Sequence, residues 1–343
     1  MRIAQISPLN SRVPPTAYGG TELIVSLLTE ALIRRGHTVT LFASADSVTR
    51  AELVPACEHF LKNSGRTPTE KLTLEMINVI NCLRRAREFD IIHNHSFPAG
   101  LAMAALSAAP ALTTIHENLE GPRESLFVKY GGWHNTVSKS AKGHLPEKER
   151  FIGTIYNAID CDSYPFNEGD RKGHLLFLAA LIPQKGPHLA IEVAQRLQRR
   201  LIIAGTLDET YPEYFRNEIK PRIDGKLIQF FGEADSEQKR ELLSQADCLL
   251  APWTWEEPFG LQLIEAMACG TPAIAFNRGA APEVISHGKT GFVVSTIDEM
   301  VVAVKNVPFF DRGFCRRYVK ERFNVKRMVD DYLGAYEYIL ERS

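Results

Sequence analysis

Two doubly wound α/β domains are what this sequence predicts, and three observations predict them. Short apolar runs of strand length alternate with longer amphipathic stretches of helical period, the pattern of parallel sheets covered by helices. The alternation starts twice, at Arg2 and again at His174, on either side of a polar stretch without period at 157–172 that reads as a hinge. At 343 residues the chain is long enough for two ordinary domains.

In chain order, residues 2–6 form the first strand and 7–20 a loop with three prolines and two adjacent glycines. Residues 21–35 form an amphipathic helix stopped by Gly36, and 38–42 the next strand. Ligands of such sheets lie beyond the carboxyl ends of the strands, which places Tyr18, Gly19 and Gly20 over the first sheet. Two glycines in a turn are more often simply a turn. Residues 44–66 read as loop, and 69–88 as a helix ending in the Arg84-Arg85-Ala86-Arg87 cluster, a solvated face. Residues 90–95 make a strand with His93 and His95 on one face; no carboxylate or cysteine at ligand spacing completes the pair, so a polar wall is favoured over a metal site. Residues 111–117 are a buried strand carrying His116 at its carboxyl end, a position where a lone histidine is usually structural. Strands at 133–138 and 151–155 complete the first sheet.

The second series has strands at 174–179, 201–205, 227–232, 249–252 and 270–275, and a last one after Phe292, with helices from 297 to the end. Lys185 falls in the loop above this sheet, where a compact cation could neutralise a diphosphate. Asp160-Cys161-Asp162 spells the metal-carboxylate triplet DxD, but its place in the hinge argues against a metal role.

Composition excludes several function classes. A net charge of −1, without a basic stripe and interleaved aromatics, gives no reason to expect nucleic acid. The six cysteines, at 57, 82, 161, 248, 269 and 315, form no CxxC pair and read as reduced thiols of a cytoplasmic protein. Residues 1–7 run straight into a strand, so no signal peptide is expected. The alanine-rich stretch 99–115 is broken by Ser107 and Pro110 and is too weak for a span. A mildly basic first half leaves peripheral contact with the inner face of a membrane as an option, although a solvated face explains it as well.

The chemistry gathers at Glu257-Pro258-Phe259-Gly260-Leu261 and Glu265, at a junction from loop to helix. Pro258 suits the first turn of that helix and Gly270 its end. Such a helix would offer the backbone amides of Phe259, Gly260 and Leu261 to a phosphate, with a carboxylate on either side to accept hydrogen bonds from a vicinal diol. An ordinary helix with an acidic first turn would look the same.

This stretch resembles the signature of the retaining GT-B glycosyltransferases of family 4, two glutamates eight positions apart behind an apolar strand. Thr114-Ile115-His116-Glu117 is similar to the family's Thr-x-His-Asp segment, with Glu117 for aspartate. Asn157-Ala158-Ile159-Asp160 is similar to its domain crossing, with Ala158 for glycine. The resemblance covers nearly the whole chain and is strongest from Lys185 to Gly291. It implies two Rossmann-like domains facing each other across a cleft: 1–157, joined by about 325–343 crossing back, on the acceptor side, and 158–324 binding the nucleotide sugar. By that resemblance His116 and Glu257 hold the transferred sugar, and Lys185 grips the phosphates, helped by the Gly19-Gly20 loop and the backbone at Phe259, Gly260 and Leu261. Glu265 takes the ribose hydroxyls, Phe231, Gly232 and Glu233 meet the base, and Tyr18 and His95 stand on the acceptor side. The family's arginine five residues before the lysine is Ala180 here.

The expected activity is metal-independent, retaining transfer of a hexose, glucose from UDP-glucose as first choice, to a hydroxyl of a glycan or lipid-linked acceptor in polysaccharide or envelope synthesis. No cofactor is expected. Two readings compete with it: a sugar-nucleotide epimerase on the same architecture, and a catalytically poor sugar-nucleotide binding protein.

Overall fold

The computed structural model describes the 343-residue chain apart from residues 18, 105, 120, 131, 144–149, 168 and 170 and the side chains of 102–104. It divides into two compact units, 1–158 together with 325–343, and 159–324.

The first unit is built on β1 (Arg2–Ile6), β2 (Thr38–Ala43), β3 (Glu52–Pro55), β4 (Ile91–Asn94), β5 (Ala111–Ile115), β6 (Trp133–Thr136) and β7 (Phe151–Thr154). Between them run α1 (Gly20–Arg34), α2 (Pro68–Arg84), α3 (Ala99–Ala104), α4 (Pro122–Lys129) and α5 (Lys139–Lys142). The sheet is parallel, in the order β3-β2-β1-β4-β5-β6-β7. β4 and β5 are buried along their whole length, as parallel strands covered on both faces must be, although His93, Asn94, Thr113 and Thr114 are among their buried residues. α2 starts with a capping box in which Thr67 and Glu70 satisfy each other's backbone amides.

Two expectations need correction here. Residues 44–66 are not all loop: β3 pairs in parallel with β2, and it escaped the sequence reading because it is a four-residue edge strand with no buried face. The helix expected over 69–88 stops at Arg84, and Arg85 of the basic cluster bonds Glu52 and Glu88, each at 2.7 Å.

The second unit contains β8 (Leu175–Leu178), β9 (Leu201–Ala204), β10 (Ile228–Gly232), β11 (Cys248–Ala251), β12 (Ala273–Phe276) and β13 (Gly291–Val294). Its helices are α6 (Pro187–Leu197), the single turn α7 (Pro212–Tyr214), α8 (Ser236–Gln245), α9 (Leu261–Ala268), α10 (Ala281–Val284), α11 (Ile297–Lys305) and α12 (Arg312–Arg322). Its parallel sheet has the order β10-β9-β8-β11-β12-β13. The core is apolar, with Leu175, Phe177, Ile191, Leu201, Ile203 and Leu250 all sealed from solvent. The last helix, α13 (Val325–Leu340), belongs to the first unit, packs on α1, and buries Met328, Val329, Tyr332, Tyr336 and Ile339.

In each sheet the strand order turns back on itself, between β1 and β4 in the first and between β8 and β11 in the second. Crevices beyond the carboxyl ends of strands at such switch points are where open parallel sheets bind ligands. The loops that leave β8 and β11 carry Lys185 and Glu257.

Candidate active site

The loop after β8 is fixed from both sides. Leu181 donates its amide to Thr206 O at 2.9 Å, and Gln184 O accepts from Thr254 N at 2.8 Å. Gly186 sits at φ 72°, where a Cβ would come within 2.2 Å of Pro252 O, so only glycine allows this approach to the neighbouring loop. Lys185 is thereby delivered to Glu257. The two form an ion pair whose side chains are 8% and 10% exposed. Trp255 completes the group: its Nε1–H donates to Glu257 Oε2 at 2.8 Å, and its ring lies 4.8 Å from the Lys185 ammonium. A third loop closes behind it. Glu256 accepts from Gly279 N at 2.5 Å, and Ala280 N donates to Glu257 O at 2.9 Å.

α9 begins at Leu261, three residues later than the proline signal implied. Pro258 lies in the preceding loop, Phe259 is buried with its ring 5.9 Å from Phe323, and Gly260 caps the helix in the left-handed region at φ 79°. A Cβ on Gly260 would come within 2.6 Å of the Trp253 ring, which explains the glycine by packing. The helix has no side-chain cap.

Glu265 is 3% exposed on α9 and accepts two hydrogen bonds at Oε1, from Tyr164 Oη at 2.8 Å and from the Lys239 ammonium of α8 at 2.6 Å. Burial, reinforced by this carboxylate, holds the Tyr164 hydroxyl well above its ordinary pKa. Neither partner was picked out by sequence reasoning. Lys239 sits in the run Glu237-Gln238-Lys239-Arg240-Glu241, which looks like any solvated helix face.

Phe231 is 44% exposed at the carboxyl end of β10. The register there slips between Phe230 and Gly232, a bulge that leaves Phe231 without a pairing partner on β9. Gly232 follows at φ 92°, and Glu233 is exposed. Ala180 is buried, with no cationic side chain of its own to offer.

In the first unit the buried His93 and His95 and the half-buried His116 join one chain of hydrogen bonds. Gln5 Oε1, an acceptor, lies 2.8 Å from His95 Nε2, so that nitrogen carries the proton. His95 Nδ1 then accepts from His116 Nε2 at 2.9 Å, and His116 is left with its lone pair on Nδ1. On the other branch Gln5 Nε2 donates to Tyr336 Oη at 3.3 Å; Tyr336 meets His93 Nδ1 at 2.7 Å, and His93 Nε2 meets Thr114 Oγ1 at 2.7 Å. Burial pushes His116 down to about 3, and burial with the neighbouring imidazoles keeps His93 and His95 well below the ordinary range. All three are neutral at physiological pH. Among the described residues no group of three histidines, cysteines or carboxylates is arranged to hold a metal.

The glycines of the first loop do different work. Gly19 packs against its own loop, where a Cβ would lie 2.7 Å from Pro15, and Gly20 opens α1. Tyr18 lies outside the described residues. The loop is held by the buried Glu22 and the half-buried Glu75: Glu22 accepts from Ser11 N at 2.9 Å, and Glu75 from Leu9 N at 2.7 Å and Ser96 Oγ at 2.9 Å. Burial raises both, Glu22 to about 7. The DxD carboxylates have local partners, since Asp160 caps a short turn and Asp162 pairs with Lys320 at 2.5 Å.

Two parallel-sheet units with polar groups gathered beyond the carboxyl ends of their strands are the GT-B type of glycosyltransferase fold. Residues 18–163 match the family described as Glycosyltransferase Family 4 and residues 162–305 that described as Glycosyl transferases group 1, and the chain belongs to these glycosyltransferases. It is 27% identical to the putative glycosyltransferase YtcC of Bacillus subtilis, over 92% of this chain and 83% of that one. It is 28% identical to a glycogen synthase of Mycobacterium tuberculosis, over 90% and 86%. The solved structure of Anabaena HepE in complex with UDP-glucose superposes with a TM-score of 0.75 at 18% identity, covering 98% of this chain and all of that one. Among the described residues no helix is long and apolar enough to cross a membrane.

Proposed function

We propose that this glycosyltransferase moves a hexose, glucose before others, from a UDP-linked donor to a hydroxyl of a glycan or glycolipid, with retention of anomeric configuration and without a metal. The observation that carries the reading is the buried Lys185–Glu257 pair with Trp255, fixed at the switch point of the second sheet. Glucose and UDP are supported by what HepE holds, and a glycan acceptor by the likeness to a glycogen synthase.

In this mechanism the bond between the sugar's anomeric carbon and the diphosphate oxygen breaks, the acceptor oxygen bonds the same carbon from the same face, and the acceptor's proton passes to the departing phosphate. Lys185 turns from Glu257 towards the charge developing on the leaving group, and Glu257 is released to accept from sugar hydroxyls. Glu265 takes the ribose diol, and Phe231 offers an exposed ring to the base. His116, with its lone pair on Nδ1, accepts from a sugar hydroxyl. Glu257→Ala should lower UDP release from UDP-glucose by at least ~100-fold in chelator-treated protein supplied with acceptor; near-normal turnover would refute the assignment. A specific observation keeps a second reading alive. Ala180 provides no second phosphate cation, so a sugar-nucleotide binding protein would bind UDP-glucose and release no UDP even with acceptors present.

Peripheral membrane contact belongs to the same proposal. α2 exposes Leu72, Met76, Ile77 and Ile80 on one face, with Arg66 and Arg84 exposed at its two ends. Flotation with anionic phosphatidylglycerol vesicles should carry the protein upward, and Ile77→Asp should abolish it; equal flotation of both would rule this face out.

A further inference from the structure

The buried charges of the second unit's site come as two pairs that are built differently. Lys185 is enclosed by Glu257 and by the face of Trp255. Among the described residues the Lys239 ammonium bonds Glu265 alone, through a single hydrogen bond of 2.6 Å, and its side chain remains 18% exposed. An ammonium has three donors in rotatable positions on a flexible stem. Lys239 therefore spends one donor on the protein and keeps two for another partner. Glu265 is also held by Tyr164, and both bonds fall on Oε1.

We propose that Lys239 is a ligand-contacting residue of the donor site, binding the phosphate next to the ribose while it holds Glu265 in place. The inference rests on the nucleotide-diphosphate reading given above. If Glu265 accepts from the ribose diol, an ammonium on its other oxygen lies within a side-chain swing of the 5′-phosphate, because the diol and the methylene that carries that phosphate are substituents of the same five-membered ring. Charge favours the same conclusion. Glu257 and Glu265 neutralise Lys185 and Lys239 in the free protein, so an arriving diphosphate needs ammonium groups that can be shared, and position 180 supplies none. Lys239 is the donor-rich one. Its neighbour Arg240 is engaged differently, with its guanidinium 5.8 Å from the Tyr164 ring.

The test is calorimetric titration of the full chain and the Lys239→Met and Lys239→Arg variants with UDP, GDP and ADP, and then with the nucleoside of whichever diphosphate binds. Lys239→Met should weaken the diphosphate about 10- to 100-fold, the range of one charge-assisted hydrogen bond, while the nucleoside changes less than about 3-fold. Lys239→Arg should restore most of the diphosphate affinity. Equal losses for diphosphate and nucleoside would mean that Lys239 serves only to hold Glu265, and an unchanged diphosphate affinity would remove it from the site altogether; either overturns the proposal. Should Lys239→Met melt early because Glu265 has lost its counter-charge, the comparison passes to Lys239→Met/Glu265→Gln against Glu265→Gln alone, where the same selective loss is expected and its absence is equally fatal. Failure of the wild type to bind any of the three diphosphates would instead defeat the donor reading itself.

Discussion

Trp255 shows how much of this site depends on a residue with no sequence signature. Its indole N–H bonds Glu257 and its ring faces Lys185, so one side chain orients both members of the pair. Trp255→Phe keeps a ring over the ammonium and deletes only the donor. Since a hydrogen bond to a charged acceptor contributes roughly 1.5–3 kcal/mol, kcat/KM should fall about 10- to 100-fold while the melting temperature changes little. A matching fall in thermal stability would mean that the indole serves packing alone. At this scale the sequence revealed the two carboxylates and Lys185 and hid their other partners. Glu257, Glu265 and Lys185 stand out because spacing and loop position mark them. Tyr164, Lys239 and Trp255 come from a linker, a charged helix face and a loop, and only the folded chain brings them to the carboxylates.

At the scale of elements, the site is as good as the contacts between its loops. Gly279 makes one of the close ones: it lies at φ 55°, and a Cβ there would come within 2.2 Å of both the amide nitrogen and the carbonyl oxygen of Glu257. Backbone cannot move aside as a flexible side chain can. Gly279→Ala should therefore displace Glu257 from Lys185, with a loss of roughly 1–3 kcal/mol in stability and a clear loss of donor affinity in titration. Gly225 separates strain from overlap, because its φ of 70° is similar and nothing lies within 4 Å of an added Cβ. Gly225→Ala should cost about 1 kcal/mol and leave donor affinity unchanged; equal effects on donor affinity in the two variants would contradict the argument. Most strands were legible: β8 and β11 as short apolar runs buried except at Leu178, and β4 and β5 as fully buried strands that open on apolar residues. The start of α9 was not. Pro258 carries a helix-start signal, but the chain uses it in the approach loop and lets Gly260 turn the corner under Trp253. β3 was missed for the opposite reason, being an edge strand with no buried face to set its pattern.

Across the whole molecule, buried ionisable groups in the first unit give stability a dependence on pH whose sign can be worked out. The carboxyl of Glu22 is raised from 4.5 to about 7 by burial, and Glu75 is raised in the same direction. The folded state therefore binds these protons more tightly than the unfolded chain, so their contribution is full below pH 4.5 and is lost as pH rises through about 7. The histidines act the other way. His116 is lowered to about 3, with His93 and His95 lowered by burial as well, so the unfolded chain takes up their protons first; stability is full above 6.5 and is lost as pH falls below it. Between the two sets stability should peak in weakly acidic solution and decline through pH 8. Glu22→Gln keeps an acceptor for Ser11 N–H and removes the titration. It should match the wild type near pH 5 and exceed it at pH 8, by up to ~3 kcal/mol if the whole shift is expressed. Urea unfolding at intervals from pH 5 to 8 measures the difference directly. Parallel curves for the two proteins would show that Glu22 is ionised in the folded loop, and that its bond to Ser11, rather than its burial, sets its charge.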